Sequence, residues 1–455
     1  MKRLTLFISM ICSSAAYAGP SAEEIFSDAR GYTAYIETRI ENAFIEDEQG
    51  AAFGAGFVID RERRWVLTNA HVSGRSPAQI TVMFDGMEPV KARPVYIDPY
   101  LDLAVLEYSA GGNVPAHAAQ LKCDAAPGTG HPVGAFGHPN GFKFSGTRGV
   151  ISGRTYRFGA DWLQTDAPIT GGNSGGPLIS LVTGQVIGIN TATLSDRQSQ
   201  NANFAVLALQ ACRVVELLKS GIDPRPAALG VSFFREGDED SLRVAQVFSV
   251  GAAAGLRRGD VILGLAGVAE RPSSEGQLIH LLRGRTHAVQ LLVLRDGGTI
   301  NIAANFPPRT APLERRGLNL GGALLAMSNQ KDIEELVSAP PVMVHAIARG
   351  SAAELARLKP YDHLVAVDGV AIRSLEDIEA AVRAHVVESP VVLEFLRPSG
   401  TERSFTLDLL ARLPVEGMES VAFRNDGRTK LPGAQLSLRP VSATTASEKQ
   451  PQSMH

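Results

Sequence analysis

The sequence predicts a mainly β chain, in which a long all-β domain is followed by two smaller α+β units. Three observations carry this reading. From Tyr35 to Asn190, short apolar and β-branched runs recur between turns built on glycine and proline. From Leu207 to Leu218 the apolar period lengthens to that of a helix, with Leu207, Ala211, Val214, Val215 and Leu218 on one face and Gly221 as the stop. Beyond that helix the chain repeats itself. Asp260-Val261-Ile262 returns as Asp362-His363-Leu364, an offset of 362 − 260 = 102 residues, and Gly267 and Gly369 keep the same offset.

A chain of 455 residues is too long for one core and suits about three domains. The 44 Lys and Arg against 47 Asp and Glu give a net charge of −3, and no basic block stands out, so a nucleic-acid partner is not expected. Residues 1–18 read as a cleavable export signal. Lys2 and Arg3 precede the apolar run Leu4 to Cys12, and Ala16-Tyr17-Ala18 is a small-x-small cleavage site. The run is far short of the roughly 20 residues of a spanning helix, so a stable membrane anchor is not expected. Cys123 and Cys212 remain after export. An oxidising compartment permits a bridge, but Cys212 lies on the apolar helix, and the pair is read as two unpaired core thiols.

In order, residues 19–34 read as a polar arm or short helix. Gly54 to Asp60, Trp65 to Thr68, Ile80 to Phe84, Val90 to Tyr96 and Leu103 to Tyr108 follow as strands. Pro132 to Phe136, Gly149 to Ser152, Trp162 to Thr165 and Val186 to Asn190 form a second set. The first domain is placed at 19–222, with Asp223-Pro224-Arg225-Pro226 as linker. The repeated units are placed at 227–308 and 315–410. Each holds a helix opened by a capping signal, Ser274-x-x-Gln277 in one and Ser374-x-x-Asp377 in the other. Residues 411–455 lose the pattern and read as disordered.

The stretch with chemistry is Gly171-Gly172-Asn173-Ser174-Gly175-Gly176-Pro177. A serine among small residues has an exposed hydroxyl, and backbone amides beside it can point at one spot, as acyl transfer requires. A hydroxyl needs a base, and the base an orienting carboxylate. Thr68-Asn69-Ala70-His71-Val72 and Leu101-Asp102-Leu103-Ala104-Val105 supply them, each at one end of a strand-like run. No Gly-Lys-Ser/Thr nucleotide loop and no His-Glu-x-x-His helix occurs, and the seven-residue spacing of His131 and His138 fits no ligand pattern. No cofactor or metal is expected.

These strings, with Gln164-Thr165-Asp166-Ala167 ahead of the serine loop, resemble the HtrA/Deg family of chymotrypsin-like serine proteases over roughly residues 30 to 410. The resemblance implies two six-stranded barrels with the site between them, followed by two PDZ domains. It implies Ser174 as nucleophile, His71 as base, Asp102 as its orienter, and the N–H groups of Gly172 and Ser174 as oxyanion donors. In a PDZ unit a free C-terminus adds as a strand, its carboxylate held by backbone amides. Leu229, Gly230 and Val231 match that loop in the first unit, and Leu318-Asn319-Leu320-Gly321 more weakly in the second.

The implied function is ATP-independent periplasmic quality control, cleaving unfolded or misfolded exported proteins as a homotrimer or a multiple of trimers. Tyr32 and Tyr35 are candidate trimer contacts, with core packing as the alternative. A PDZ-based chaperone with secondary proteolysis, or a regulatory protease with a narrow substrate, stands beside it. The loop Thr191 to Asn203 is expected to line the primary pocket, for small aliphatic residues. Two departures from the family are visible. Thr170-Gly171 replaces an Asn-Pro pair, which predicts a freer oxyanion loop and a partly misassembled resting site. The segment Glu46 to Ala52 is short where some relatives carry a regulatory loop.

Overall fold

The structure is a computed structural model that describes residues 19–110, 115–157, 160–191, 202–234, 242–285, 287–328, 340–385, 390–399, 404–413 and 418–423. The export signal expected at 1–18, most of the pocket loop (192–201) and the end of the tail (424–455) lie outside them.

Helix α1 (Ala22–Tyr32) opens on a complete capping box between Ser21 and Glu24 and buries Ile25, Ala29 and Tyr32. Tyr32 is 2% exposed and meets the His117 ring edge-on, so it is a core residue of its own chain rather than a trimer contact. The inward stripe of the helix takes it there.

Strands β1 (Thr33–Ile40), β2 (Gly50–Asp60), β3 (Trp65–Thr68), β4 (Ala78–Phe84), β5 (Val90–Asp98) and β6 (Leu103–Tyr108) close a barrel in the order β1-β2-β3-β6-β5-β4. Helix α2 (Ala70–Ser73) leaves it directly after β3. A second barrel is closed by β7 (Pro132–Gly137), β8 (Ser145–Arg157), β9 (Ala160–Thr165), β10 (Pro177–Ser180), β11 (Val186–Thr191) and β12 (Asn203–Leu207), in the order β10-β11-β12-β9-β8-β7. The long β6 run LAVL is buried without alternation, as expected where barrel interior and inter-barrel seam cover both faces.

Helix α3 (Ala208–Lys219) ends the domain, and Leu207, expected on its face, is instead the last residue of β12 and the helix N-cap. Cys123 and Cys212 are joined by a disulfide across 89 residues of chain, which corrects the reading of two unpaired core thiols. Cys212 sits on the half-buried rim of α3, where it faces the inter-barrel segment that carries the exposed Cys123.

The first repeated unit has β13 (Val231–Phe233) paired with β14 (Val244–Val247), helix α4 (Ser249–Ala253), and β15 (Val261–Leu265) in a sheet with β16 (Val289–Arg295) and β17 (Gly298–Ala304). Helix α5 (Glu275–Leu282) starts where Ser274 accepts from the Gln277 N–H. The second unit is one eight-stranded sheet. It holds β18 (Arg316–Leu320), β19 (Ala323–Met327), β20 (Val342–Ile347), β21 (His363–Val367), β22 (Val370–Ala371), β23 (Val391–Ser399), β24 (Ser404–Leu413) and β25 (Glu419–Ala422). Helices α6 (Ala352–Leu355) and α7 (Leu375–Ala384) pack on it, and α7 opens on a full capping box from Ser374 and Asp377.

The repeat holds at the level of single bonds. Arg295 donates to both carboxylate oxygens of Asp260 at 2.8 and 2.7 Å, and Arg397 does the same to Asp362 at 2.7 and 2.7 Å. Both pairs obey the sequence offset, since 397 − 295 = 102. The second unit runs further than expected: β24 continues to Leu413, and β25 brings Val421 into a small core with Phe44, Leu324 and Ala326.

Both units dock on the first barrel. Arg283, at the end of α5, is 1% exposed and lies 2.7 Å from Asp98, which is fully buried at the end of β5. Its guanidinium also reaches the Pro224 carbonyl at 2.6 Å. Replacing both Cys123 and Cys212 by Ser opens an 89-residue loop. The expected cost is about 4 kcal/mol, read as a fall in Tm of about 10 °C. Scanning calorimetry under non-reducing conditions checks it.

Candidate active site

The site is assembled at the seam of the two barrels from three chain segments. β3 ends at Thr68, and its continuation turns at once into the short helix α2 with His71 on it. Thr38 of β1 holds that helix by donating to the Val72 carbonyl at 2.7 Å. β5 ends at Asp98, whose carboxylate accepts from the N–H groups of Tyr100 and Leu101 at 3.0 Å each. This closes the turn that presents Asp102 just before β6.

Asp102 itself has φ +52°, a left-handed conformation that aspartate tolerates better than most residues. With the backbone so turned, one carboxylate oxygen accepts from the His71 backbone N–H at 3.0 Å, and the other lies 2.7 Å from His71 Nδ1. A carboxylate can only accept, so Nδ1 carries the proton and the far nitrogen, Nε2, is the basic one. Asn69 donates to the Asp102 carbonyl at 2.9 Å, which ties the two segments a second time. Arg75 Nη2 stands 3.4 Å from the same carboxylate.

Ser174 is 4% exposed in the turn that precedes β10. Strand β2 holds it against the His71 helix. The Ala55 N–H donates to the Ser174 carbonyl at 2.8 Å, and Thr68 donates to the Ala55 carbonyl at 2.7 Å. A side chain at Gly54 would run into Val72 at 2.7 Å and into the Ser174 carbonyl at 3.0 Å, so the helix and the serine turn meet across this glycine.

The loop before the serine was expected to be loose for want of proline. It is tied to the segment after β7 instead. His138 N–H donates to the Gly172 carbonyl at 3.1 Å, and Asn140 N–H to the Gly171 carbonyl at 2.8 Å. A trans peptide points its N–H opposite its carbonyl, so the Gly172 N–H faces away from Asn140. His138 is a packing residue. Burial pushes its pKa down to about 4, its Nδ1 accepts from the Phe144 N–H at 3.0 Å, and its ring meets Tyr35 and Phe144 edge-on. His131 bonds Ser180 at 2.8 Å.

In the first unit, Leu229 and Val231 are buried, and Gly230 has φ +63° with its carbonyl bonded to the Phe248 N–H at 2.8 Å. β13 pairs with β14 on one edge, and among the described residues no strand pairs with the other. The second unit differs. The segment Leu318-Asn319-Leu320-Gly321, expected as its carboxylate loop, is strand β18 and the first half of a tight hairpin. Gly321 and Gly322 both have positive φ, as a two-residue hairpin needs, and β19 is hydrogen-bonded on both edges, to β18 and to β20.

Two groups escaped the sequence reading. Asp98 was signalled by the Asp-Pro turn before Asp102. Arg75 had no local signal, since its target lies 27 residues away.

The paired closed barrels and the seam site define a trypsin-like serine endopeptidase. The trypsin-like peptidase domain profile matches residues 54–189, and the PDZ domain profile matches residues 322–409. The probable periplasmic serine endoprotease DegP-like of Pseudomonas fluorescens is 30% identical over 380 residues, covering 77% of this chain and 78% of that protein. The protein of the same description from Chlamydia trachomatis is 29% identical, covering 74% and 71%. Among solved structures, the HtrA-type protease AlgW with a tripeptide aligns at TM-score 0.52 and 30% identity, covering 64% of this chain and 98% of that one. The chain belongs to the DegP-like, HtrA-type serine endoproteases. One PDZ domain is matched by profile, where two were expected.

A Cβ at Gly172 would stand 2.1 Å from the His138 carbonyl, and φ there is +99°, whereas Gly171 has nothing within 4 Å. Gly172→Ala is expected to lower peptidase turnover about 100-fold by displacing the loop. Gly171→Ala is expected to stay within about twofold. Steady-state cleavage of a quenched peptide separates them.

Proposed function

We propose that Ser174 attacks the scissile carbonyl while His71 takes its proton and later gives it to the leaving amine. Asp102 holds the imidazole in the required tautomer and steadies the imidazolium. The N–H groups of Gly172 and Ser174 take the oxyanion. The observation that carries this reading is the two-point hold of Asp102 on His71, at 3.0 and 2.7 Å, beside a serine turn packed on the same helix.

In this reading the substrates are unfolded or misfolded exported proteins, and the enzyme works in the periplasm without ATP. The names of its relatives and the basic, apolar start of the chain support that place. The first unit, alike in its Arg295–Asp260 pair to the unit matched as PDZ, captures C-termini at Leu229, Gly230 and Val231 along the open edge of β13. In the second unit the corresponding edge is taken by β18. Assembly of three copies through the protease domain is supported by two exposed rings, Phe53, 44% exposed and stacked on Tyr35, and Phe142, 73% exposed.

Ser174→Ala is expected to abolish casein cleavage, and Asp102→Asn to lower kcat about 10⁴-fold. Unchanged turnover in Ser174→Ala rules out the assignment. For capture, a fluorescent peptide with a free apolar C-terminus is expected to bind, and Gly230→Trp to weaken it at least about tenfold. Anisotropy titration reads it. Equal binding of the C-terminally amidated peptide contradicts carboxylate capture.

A further inference from the structure

The candidate triad accounts for His71 and Ser174 but leaves one charged neighbour unexplained. Arg75 follows α2 and is 20% exposed, with Nη2 3.4 Å from the Asp102 oxygen that also receives the His71 N–H. Its position is set from the loop between β1 and β2. Asp47 accepts from the Arg75 backbone N–H at 2.7 Å, and the Ser76 hydroxyl accepts from the Phe44 N–H at 2.8 Å. Two bonds, one from each side, therefore fix residues 75 and 76 to residues 44–47.

That loop is in turn gripped by the second C-terminal unit. Glu46 pairs with Arg315 at 2.9 Å, the pair being 22% and 11% exposed. The Arg315 guanidinium lies over the Phe44 ring at 4.4 Å, and the His345 ring meets Phe44 edge-on. Ile45 N–H donates to His345 Nδ1 at 3.2 Å. Phe44 is fully buried against Leu324, Ala326 and Val421. The same unit reaches the back of the site directly, where Leu313 and Phe423 pack on Ala70, Ile97 and Ala104. Ala70 precedes His71 and Ala104 follows the Asp102 turn.

We propose that Arg75 is a positioning residue for the Asp102 carboxylate, and that the second C-terminal unit, docked through Arg315 on the 41–49 loop, holds Arg75 in place. This unit, whose own strand β18 fills the edge a peptide would use, thus serves the catalytic centre in cis as a buttress. A guanidinium beside the shared oxygen fixes the carboxylate plane that orients the imidazole. The inference rests on the triad reading above, and the test keeps the two apart.

Full-length Arg75→Met, Arg75→Lys, Arg315→Met and the Arg75→Met/Arg315→Met double variant are compared with a quenched peptide, each checked for folding by circular dichroism. Arg75→Met is expected to lower kcat about 10- to 100-fold with KM within about twofold, and to move the acid limb of the kcat/KM profile. Arg75→Lys restores most of kcat. Arg315→Met, remote from the chemistry, lowers kcat several-fold in the same sense. The double variant is no worse than Arg75→Met, because the two act in series. The proposal is overturned if the Arg75→Met kcat and pH profile match the parent while Ser174→Ala is inactive, or if the two losses add. If Arg75→Met does not fold, Arg315→Met carries the test alone, and an unchanged kcat and pH profile there overturns it. Activity surviving in Ser174→Ala instead condemns the triad reading.

Discussion

The structure turns on the carboxylate of Asp102 meeting His71 at two points, its backbone N–H and its Nδ1. A single contact would leave the ring free to swing about the axis of that bond. Two contacts, to backbone and ring, fix the imidazole relative to α2 itself. The left-handed backbone at Asp102 costs of order 1 kcal/mol. It persists because Asp98 closes the preceding turn and Asn69 grips the Asp102 carbonyl. The strain is local, and the bonds that hold it come from the end of β5 and from Asn69, the residue that follows β3.

Those bonds extend past the protease domain. Asp98 is fully buried and faces Arg283 of the first repeated unit, which is buried as well. Desolvation works against the guanidinium charge, but the attraction of Asp98 and then Tyr96 outweighs it, and the pKa of Arg283 is raised. Removing one partner of such a pair strands the other charge in a dry interface, so breaking the pair costs more than forming it adds to net stability. The turn that carries Asp102 therefore rests on a domain contact at one end. The Arg75 side of the same carboxylate rests on the second unit through Glu46 and Arg315. Both C-terminal units are thus mechanically continuous with the candidate triad.

Much of this was legible in the letters. The serine loop, the His and Asp strings, most strands of the two barrels, α3 and the 102-residue repeat all announce themselves by local pattern. What stayed hidden depends on partners distant in the chain. Leu318 to Gly321 looks like a loop beside Ala228 to Val231, yet the Gly321-Gly322 pair folds it into a hairpin that closes the edge it was expected to open. Cys212 carries the apolar periodicity of a core thiol, but its position at the helix rim is set by tertiary packing, which sequence spacing does not report. Arg75, Asp47 and Arg315 lie in three different segments with ordinary surface composition, so only the folded chain joins them.

In the proposed mechanism Ser174 is made nucleophilic by His71 held on Asp102. Peptide mapping by mass spectrometry after reaction with a biotinylated fluorophosphonate tests it most directly, because the adduct marks the activated hydroxyl itself. One adduct is expected, on the peptide that contains Ser174, and it should be lost in His71→Ala. No adduct on a correctly folded protein, or an adduct that persists in His71→Ala, would contradict it.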